Sequence, residues 1–418
     1  MISTEIFNVL LLVAIALILA RVLGHIFDRF NQPAVIGELF AGIIVGVVVL
    51  MFFSGQEYII FDRPLPLPNL NPYILYEGME YNPFDFLAEI GILFLLFISG
   101  LETRMSKLKK MEKASSFVAV GGVFVPLILG FIIAVLFLDF STMQGIIIGL
   151  ILTATSVGVT VRTLLDLQVL DSDVGTTILG GAVIDDILAI VLLALVMGTE
   201  SVTGAFWIGI RIAIFFFIFL LIGLRVIDKV LDLGDKIHVP KAFLSISLSI
   251  MLIYSFFAYE SGISGIIGAF VAGVLIGQSF RSKKISDDVK TLGYGLFIPL
   301  FFVAVGFRMA IQGSTLDINS FSTILILSLV LIIVGIIGKI IGSGIGALLA
   351  GMKARESLQI GIGMIPRMEL ALIISSAAIA HGILSDSFGH QLLIATVILT
   401  IVTTIVAPVL IKASFNND

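Results

Sequence analysis

The sequence predicts an all-α integral membrane protein of about thirteen transmembrane helices, and three observations carry that expectation. Of the 418 residues, 59% are hydrophobic and only 13% are charged, whereas a soluble domain carries about a quarter charged residues. The mean hydropathy of +1.18 leaves most of the outer surface to face lipid. The apolar residues fall in blocks of about twenty, not in alternation, which favours helices over a β-barrel.

The first block, MISTEIFNVLLLVAIALILARVLG, lacks a basic leader and reads as a membrane helix over 4–24, with a cleaved signal as the alternative. Further blocks centre on 33–53, 84–101, 115–138, 143–165, 174–198 and 204–228. The last six centre on 240–258, 262–280, 289–308, 320–350, 357–380 and 390–411. The proline-rich stretch 54–83 reads as an extended, irregular loop without an assigned role.

The connecting loops differ in charge. Arg104, Lys107, Lys109, Lys110 and Lys113 follow the third helix, and Lys229, Lys236 and Lys241 follow the seventh. Arg281, Lys283, Lys284, Lys290, Lys353, Arg355 and Lys412 complete the basic set. With thirteen helices all of these fall on one side, which sets the N-terminus outside and the C-terminus in the cytoplasm of the plasma membrane. Helices one to six and eight to thirteen match at an offset of seven, and an odd offset inverts topology. The expectation is one membrane domain over 1–418. It holds a first inverted repeat at 1–200, a linking helix at 201–235 and a second repeat at 239–412.

Several chemistries find no residues. The chain has no cysteine, so thiolate metal sites and cysteine nucleophiles are excluded. His25, His238, His381 and His390 lack zinc spacing. No P-loop is present, so no nucleotide partner is expected, nor any nucleic acid. The expected partner is membrane lipid.

Charges at bilayer depth are costly, about 2.5–3.5 kcal/mol each or more, so each needs a partner or a wet cavity. Asp185 and Asp186 lie midway along the sixth helix. Adjacent helical positions stand about 100° apart. One carboxylate can therefore face an ion cavity while the other faces a partner helix. A charge pair that only ties helices together is the other reading. Lys339, deep in the eleventh helix among glycines, is too far from the ends to snorkel. An aspartate partner would hold its charge, whether for transport or as a structural bridge. In GMIPRMELAL, Pro366 should break the twelfth helix beside Arg367 and Glu369. The matching segment in the fifth helix, ILTATSVGVTVRT, offers Thr153, Thr155, Ser156 and Thr160 as partners for freed backbone groups or as cation ligands. Helix–helix hydrogen bonding is the alternative for each of these hydroxyls. Two interrupted helices at matching positions in inverted halves point to a transport site. Glu38, Glu89 and Glu260 are the remaining acids; Glu89 is a candidate partner for Arg367, and Glu260 falls at a helix end. Arg211 and Arg225 are expected to snorkel from the seventh helix.

At these residues the chain resembles the cation:proton antiporter superfamily, and within it the electrogenic double-aspartate Na+/H+ branch of bacteria and archaea. QPAVIGELFAGIIVG at 32–46, FLAEIGILFLLFISGLET at 86–103, IDDI, GKIIG and GMIPRMELAL occur in the family's order. The likeness covers nearly the whole chain.

The resemblance implies a secondary active Na+(Li+)/H+ antiporter with alternating access and no resident cofactor, Na+ and H+ being its cargo. It implies that Asp186 binds Na+ and a proton in turn. Asp185 would pair with Lys339, the expected proton carrier, and would share in the ion site. Thr155 and Ser156 would line the unwound fifth helix and join that site, Ser156 standing where some members carry an acid. Arg367, Glu369 and Glu89 would form a supporting ionic network. The resemblance also implies two interrupted, crossing helices, a core (transport) domain with a dimer domain, and a homodimer. Potassium-efflux members carry glutamine before the aspartate and a cytoplasmic nucleotide-binding domain after the last helix. Neither is expected here, which favours the sodium branch. K+/H+ exchange on the same fold is the first alternative and a sodium-coupled solute symporter the second. A channel would need repeated carbonyl or charge rings.

Overall fold

The computed structural model describes residues 2–52, 59–60, 63–64, 74–76, 79–196, 202–237, 239–313, 321–380 and 382–415. In chain order, helices α1 (Ile2–Arg29) and α2 (Ala34–Phe52) come first. Four short strands follow, β1 (Ile59–Ile60), β2 (Arg63–Pro64), β3 (Ile74–Tyr76) and β4 (Met79–Tyr81). Next come α3 (Pro83–Glu102), α4 (Met105–Phe137), α5 (Thr142–Thr153), α6 (Val157–Asp166) and α7 (Asp173–Val196). Then come α8 (Val202–Lys236), α9 (Ala242–Glu260), α10 (Gly265–Gly277), α11 (Ser282–Leu292) and, after a π-helical turn, α12 (Ile298–Gly313). The chain continues through α13 (Phe321–Leu349), α14 (Ala354–Gly363), α15 (Glu369–Ala380) and α16 (Asp386–Phe415).

Among the described residues, eleven helical stretches are long and apolar enough to cross a membrane. Two shorter apolar helices, Gly265–Gly277 and Leu370–Ile379, stand at the expected ninth and twelfth positions. The exact count of thirteen spans is therefore not reached among the described residues: the ninth is shorter than expected, and the twelfth is broken as the sequence predicts. The ninth is short because Gly262 turns the chain at φ +85° and Ser264 caps the new helix, its hydroxyl accepting from Ile266 N–H. The twelfth is short because helix is interrupted around Pro366. The 54–83 loop is not wholly irregular: β1 pairs with β2 and β3 with β4, both antiparallel. Its other residues up to 78 lie outside the described set.

The chain divides into two compact units. The first joins Met1–Phe94 to Lys290–Thr315. Its apolar core draws on α1, α2, α3 and α12, with Leu12, Ala41, Phe84, Leu300 and Phe307 buried. There α2 and α12 meet backbone to backbone. A Cβ on Gly42 would stand 2.0 Å from the Val303 carbonyl oxygen, and one on Gly306 2.1 Å from that of Leu39. Only glycine permits that approach.

The second unit, Leu95–Val289 with Leu316–Asp418, holds the bilayer-depth charges singled out in the sequence save Glu38 and Glu89. One of its cores packs α4, α5, α13, α15 and α16 around Ile151, Leu152, Leu331, Ile374 and Leu399. Here α4 and α13 are in close contact: a Cβ on Gly121 would stand 2.1 Å from the Gly342 carbonyl oxygen, and the converse distance is 2.2 Å. That approach sets the Lys339 face of α13 against α4.

Ion pairs join the loops that bear the basic residues. Lys107 and Lys110 meet Asp171 and Asp173 at 3.0 and 2.8 Å, Lys241 meets Asp288 at 2.5 Å, and Arg281 meets Asp232 at 2.8 Å. Pairs this exposed add about 0–1 kcal/mol each.

Candidate functional site

Asp185 on α7 and Lys339 on α13 are completely buried. The Lys339 ammonium donates to both carboxylate oxygens, at 3.0 Å to Oδ1 and 3.1 Å to Oδ2. Two charges at bilayer depth are tolerable in this arrangement because each supplies the other's missing solvation. The next residue round the helix, Asp186, is only partly buried. It stays within electrostatic reach of Lys339, as does Arg367. The adjacent carboxylates therefore face different surroundings, one sealed against α13 and one more open.

The two expected interruptions are present. Helix α5 stops at Thr153 and α6 starts at Val157, with Ala154 and Ser156 extended at ψ 134° and 107°. Helix α14 stops at Gly363 and α15 starts at Glu369. An interruption leaves orphan N–H and C=O groups in a place without solvent. Each interruption helps to satisfy the other. Ser156 N–H donates to the Pro366 carbonyl at 2.6 Å, and Thr160 Oγ1 donates to the Gly363 carbonyl at 2.7 Å. Thr404 of α16 adds a bond to the Arg367 carbonyl at 3.1 Å.

Arg367, also completely buried, is the hub of this crossing. Its Nη1 donates to the Ile365 carbonyl at 2.6 Å. Its Nη2 donates to the carbonyls of Leu152 at 2.6 Å and Gly335 at 3.1 Å. Leu152 lies in the last turn of α5, where carbonyls carry the negative end of the helix dipole and a cation is favoured. The expected carboxylate partner is thus replaced by three carbonyls. The reason is the guanidinium's planar fork of five donors, which can serve several acceptors at once. Glu89 instead lies on an exposed face of α3 in the first unit. The Glu369 side chain lies outside the described set. Gly335 is one turn before Lys339, so α13 carries both the crossing and the ion pair.

The hydroxyls divide. Thr153 Oγ1 turns back to its own helix at Leu150, 2.7 Å away. Ser156 Oγ meets Met368 Sδ at 2.9 Å. Thr155 Oγ1 is buried and has no hydrogen-bond partner among the described residues. It is thus the more available oxygen of the Thr155 and Ser156 pair. Two residues beside the ion pair had no role in the sequence reading: Gly122 on α4, and Ser343, whose only signal is its place four residues after Lys339.

Residues 11–416 match the family model described as sodium/hydrogen exchanger, transmembrane. The chain belongs to this family. Among curated exchangers it is 34% identical to a Bacillus cereus protein named "Probable Na(+)/H(+) antiporter GerT", over 96% of this chain and 98% of that one. It is 31% identical to the Na(+)/H(+)-K(+) antiporter GerN of Bacillus cereus, over 96% and 95% of the two chains. It is 32% identical to an Na(+)/H(+) antiporter of Enterococcus hirae, over 96% of each. The exchanger fold is shared with the sodium proton antiporter MjNhaP1 of Methanocaldococcus jannaschii. The TM-score is 0.63 at 18% identity, over 99% of this chain and 97% of that chain.

Proposed function

We propose that this exchanger is an electrogenic Na+(Li+)/H+ antiporter whose cargo site is built on Asp186 and Asp185. The observation that carries the reading is the sealed Asp185–Lys339 pair beside the more open Asp186, one turn of α13 from two interrupted helices. The names of the relatives supply the same ion and the same exchange.

Na+ is a hard cation and takes several oxygen ligands. The Asp186 and Asp185 carboxylates, the Thr155 and Ser156 hydroxyls and carbonyls freed at the interruptions form a suitable set. A proton needs the same carboxylate oxygens, so cation and proton exclude each other without a separate gate. When Na+ engages Asp185, Lys339 loses its counter-charge and its proton is released with that of Asp186. More than one proton then crosses per Na+, and net charge moves through the membrane field. Arg367 holds the crossing helices in place and carries no cargo.

The surrounding architecture belongs to the same proposal. The α5–α6 and α14–α15 interruptions are matching elements of two inverted repeats, and the protein works as a homodimer by alternating access. It sits in the plasma membrane with its N-terminus outside. The reading is tested in liposomes loaded with a fluorescent pH reporter, with the membrane potential free or clamped. Na+ and Li+ are expected to drive proton movement, K+ is not, and clamping should change the rate. An equal response to K+ would refute the cation assignment. A rate indifferent to potential would refute the electrogenic stoichiometry.

A further inference from the structure

We infer that Ser343 is the second partner of the Lys339 side chain when a cation takes over the oxygens of Asp185, accepting an N–H first from the displaced ammonium and then from the amine left by proton release. The inference rests on the exchange reading above and adds a positioning residue to it.

Buried serines in membrane helices usually return the hydroxyl to the carbonyl four residues earlier. Ser247, Ser255, Ser328 and Ser375 all do so here, at 2.7, 2.9, 2.6 and 3.0 Å. Ser343 does not. Its Oγ is completely buried and has no hydrogen-bond partner among the described residues. A hydroxyl left in that state is unfavourable and asks for a reason.

Its surroundings supply one. Residues 339 and 343 share a face of α13, and the Cα–Cβ bond of Ser343 tilts back toward the Lys339 turn. Gly122 of α4 faces both. A Cβ on Gly122 would stand 2.5 Å from Ser343 Oγ, 3.4 Å from Lys339 Nζ and 3.7 Å from Asp185 Oδ1. The missing side chain therefore leaves the space between ammonium and hydroxyl open. The opposite direction along α13 is closed to a displaced cation. There the Arg367 guanidinium holds the Gly335 carbonyl, one turn before Lys339. Like charges repel, so the ammonium moves toward Ser343 on its long, rotatable stem. The backbone need not shift.

Ser343 thus lowers the free energy of the state in which Na+ has displaced the lysine, and so strengthens Na+ binding. The test is a double-mutant cycle with Ser343→Ala and Lys339→Gln in purified, reconstituted protein. It reads the Na+ KM and kcat, and also the thermal stabilisation by Na+, which needs no turnover. Ser343→Ala alone should raise the KM several-fold, on the order of the effect of one buried hydrogen bond, with kcat little changed. In the Lys339→Gln background the same substitution should change nothing, because no lysine side chain remains to be received. An unmoved KM in Ser343→Ala, or an equal rise in both backgrounds, would overturn the inference and leave a packing role. Exchange by the parent protein is measured first. Its absence would count against the antiport reading itself, and the inference would fall with it. Melting without Na+ checks the fold. If Ser343→Ala does not fold, Ser343→Cys, similar in shape and a weak acceptor, replaces it in the cycle.

Discussion

Asp186→Asn is expected to reduce Na+-driven proton movement to the level of empty liposomes while leaving the protein folded. The substitution keeps the size of the side chain and one of its oxygens. It removes the negative charge that Na+ needs and the group that would carry the proton. Binding and release are lost together because they use the same atoms. The fold should survive, since the Asp185–Lys339 pair is intact. Apparent melting temperature in detergent, without Na+, should stay close to that of the parent. Retained exchange would remove Asp186 from the cargo site. Loss of folded protein would show instead that its role is structural.

Arg367→Ala should have the largest effect on stability. It strips three buried carbonyls, on Leu152, Gly335 and Ile365, of their donor. Each buried polar group left unpaired costs about 1–3 kcal/mol. With partial relaxation, a loss of about 3–5 kcal/mol is expected, the range for breaking a buried charged network. That is a large share of a total stability of about 5–15 kcal/mol. Thermal melting of the purified variant is the check. Arg367→Lys should fall between the two, because an ammonium restores charge without the planar fork. An alanine variant as stable as the parent would mean that water satisfies those carbonyls.

Much of this was legible in the sequence, for identifiable reasons. Hydropathy found every long apolar helix among the described residues because lipid penalises polar side chains wherever they lie. Hydropathy alone overestimated two further segments, since it registers side chains and not the continuity of backbone hydrogen bonds; Pro366 marked the break in one, and nothing marked the other. The turn at Gly262 and the interruption around Pro366 both sit inside apolar runs. An aspartate partner for Lys339 could be read because few charges exist at bilayer depth; that it is Asp185 followed from the family resemblance. Asp185 could be separated from Asp186 because helical geometry turns neighbours apart. The partners of Arg367 could not be read, because a backbone carbonyl has no residue type. Glu89 is only the acid that the sequence offers. Ser343 was invisible for a related reason. It is one of several serines in apolar helices, and only its geometry separates it from those that bond their own backbone.

The central claim is that Na+ and protons compete for one set of carboxylate oxygens. The most direct measurement is the apparent KM for Na+ across a series of pH values, with the maximal rate recorded at each. Competition predicts a KM that climbs steadily as the pH falls, while saturating Na+ restores the same maximal rate. A KM indifferent to pH, with a maximal rate that falls on acidification, would contradict it and assign the proton to a separate site.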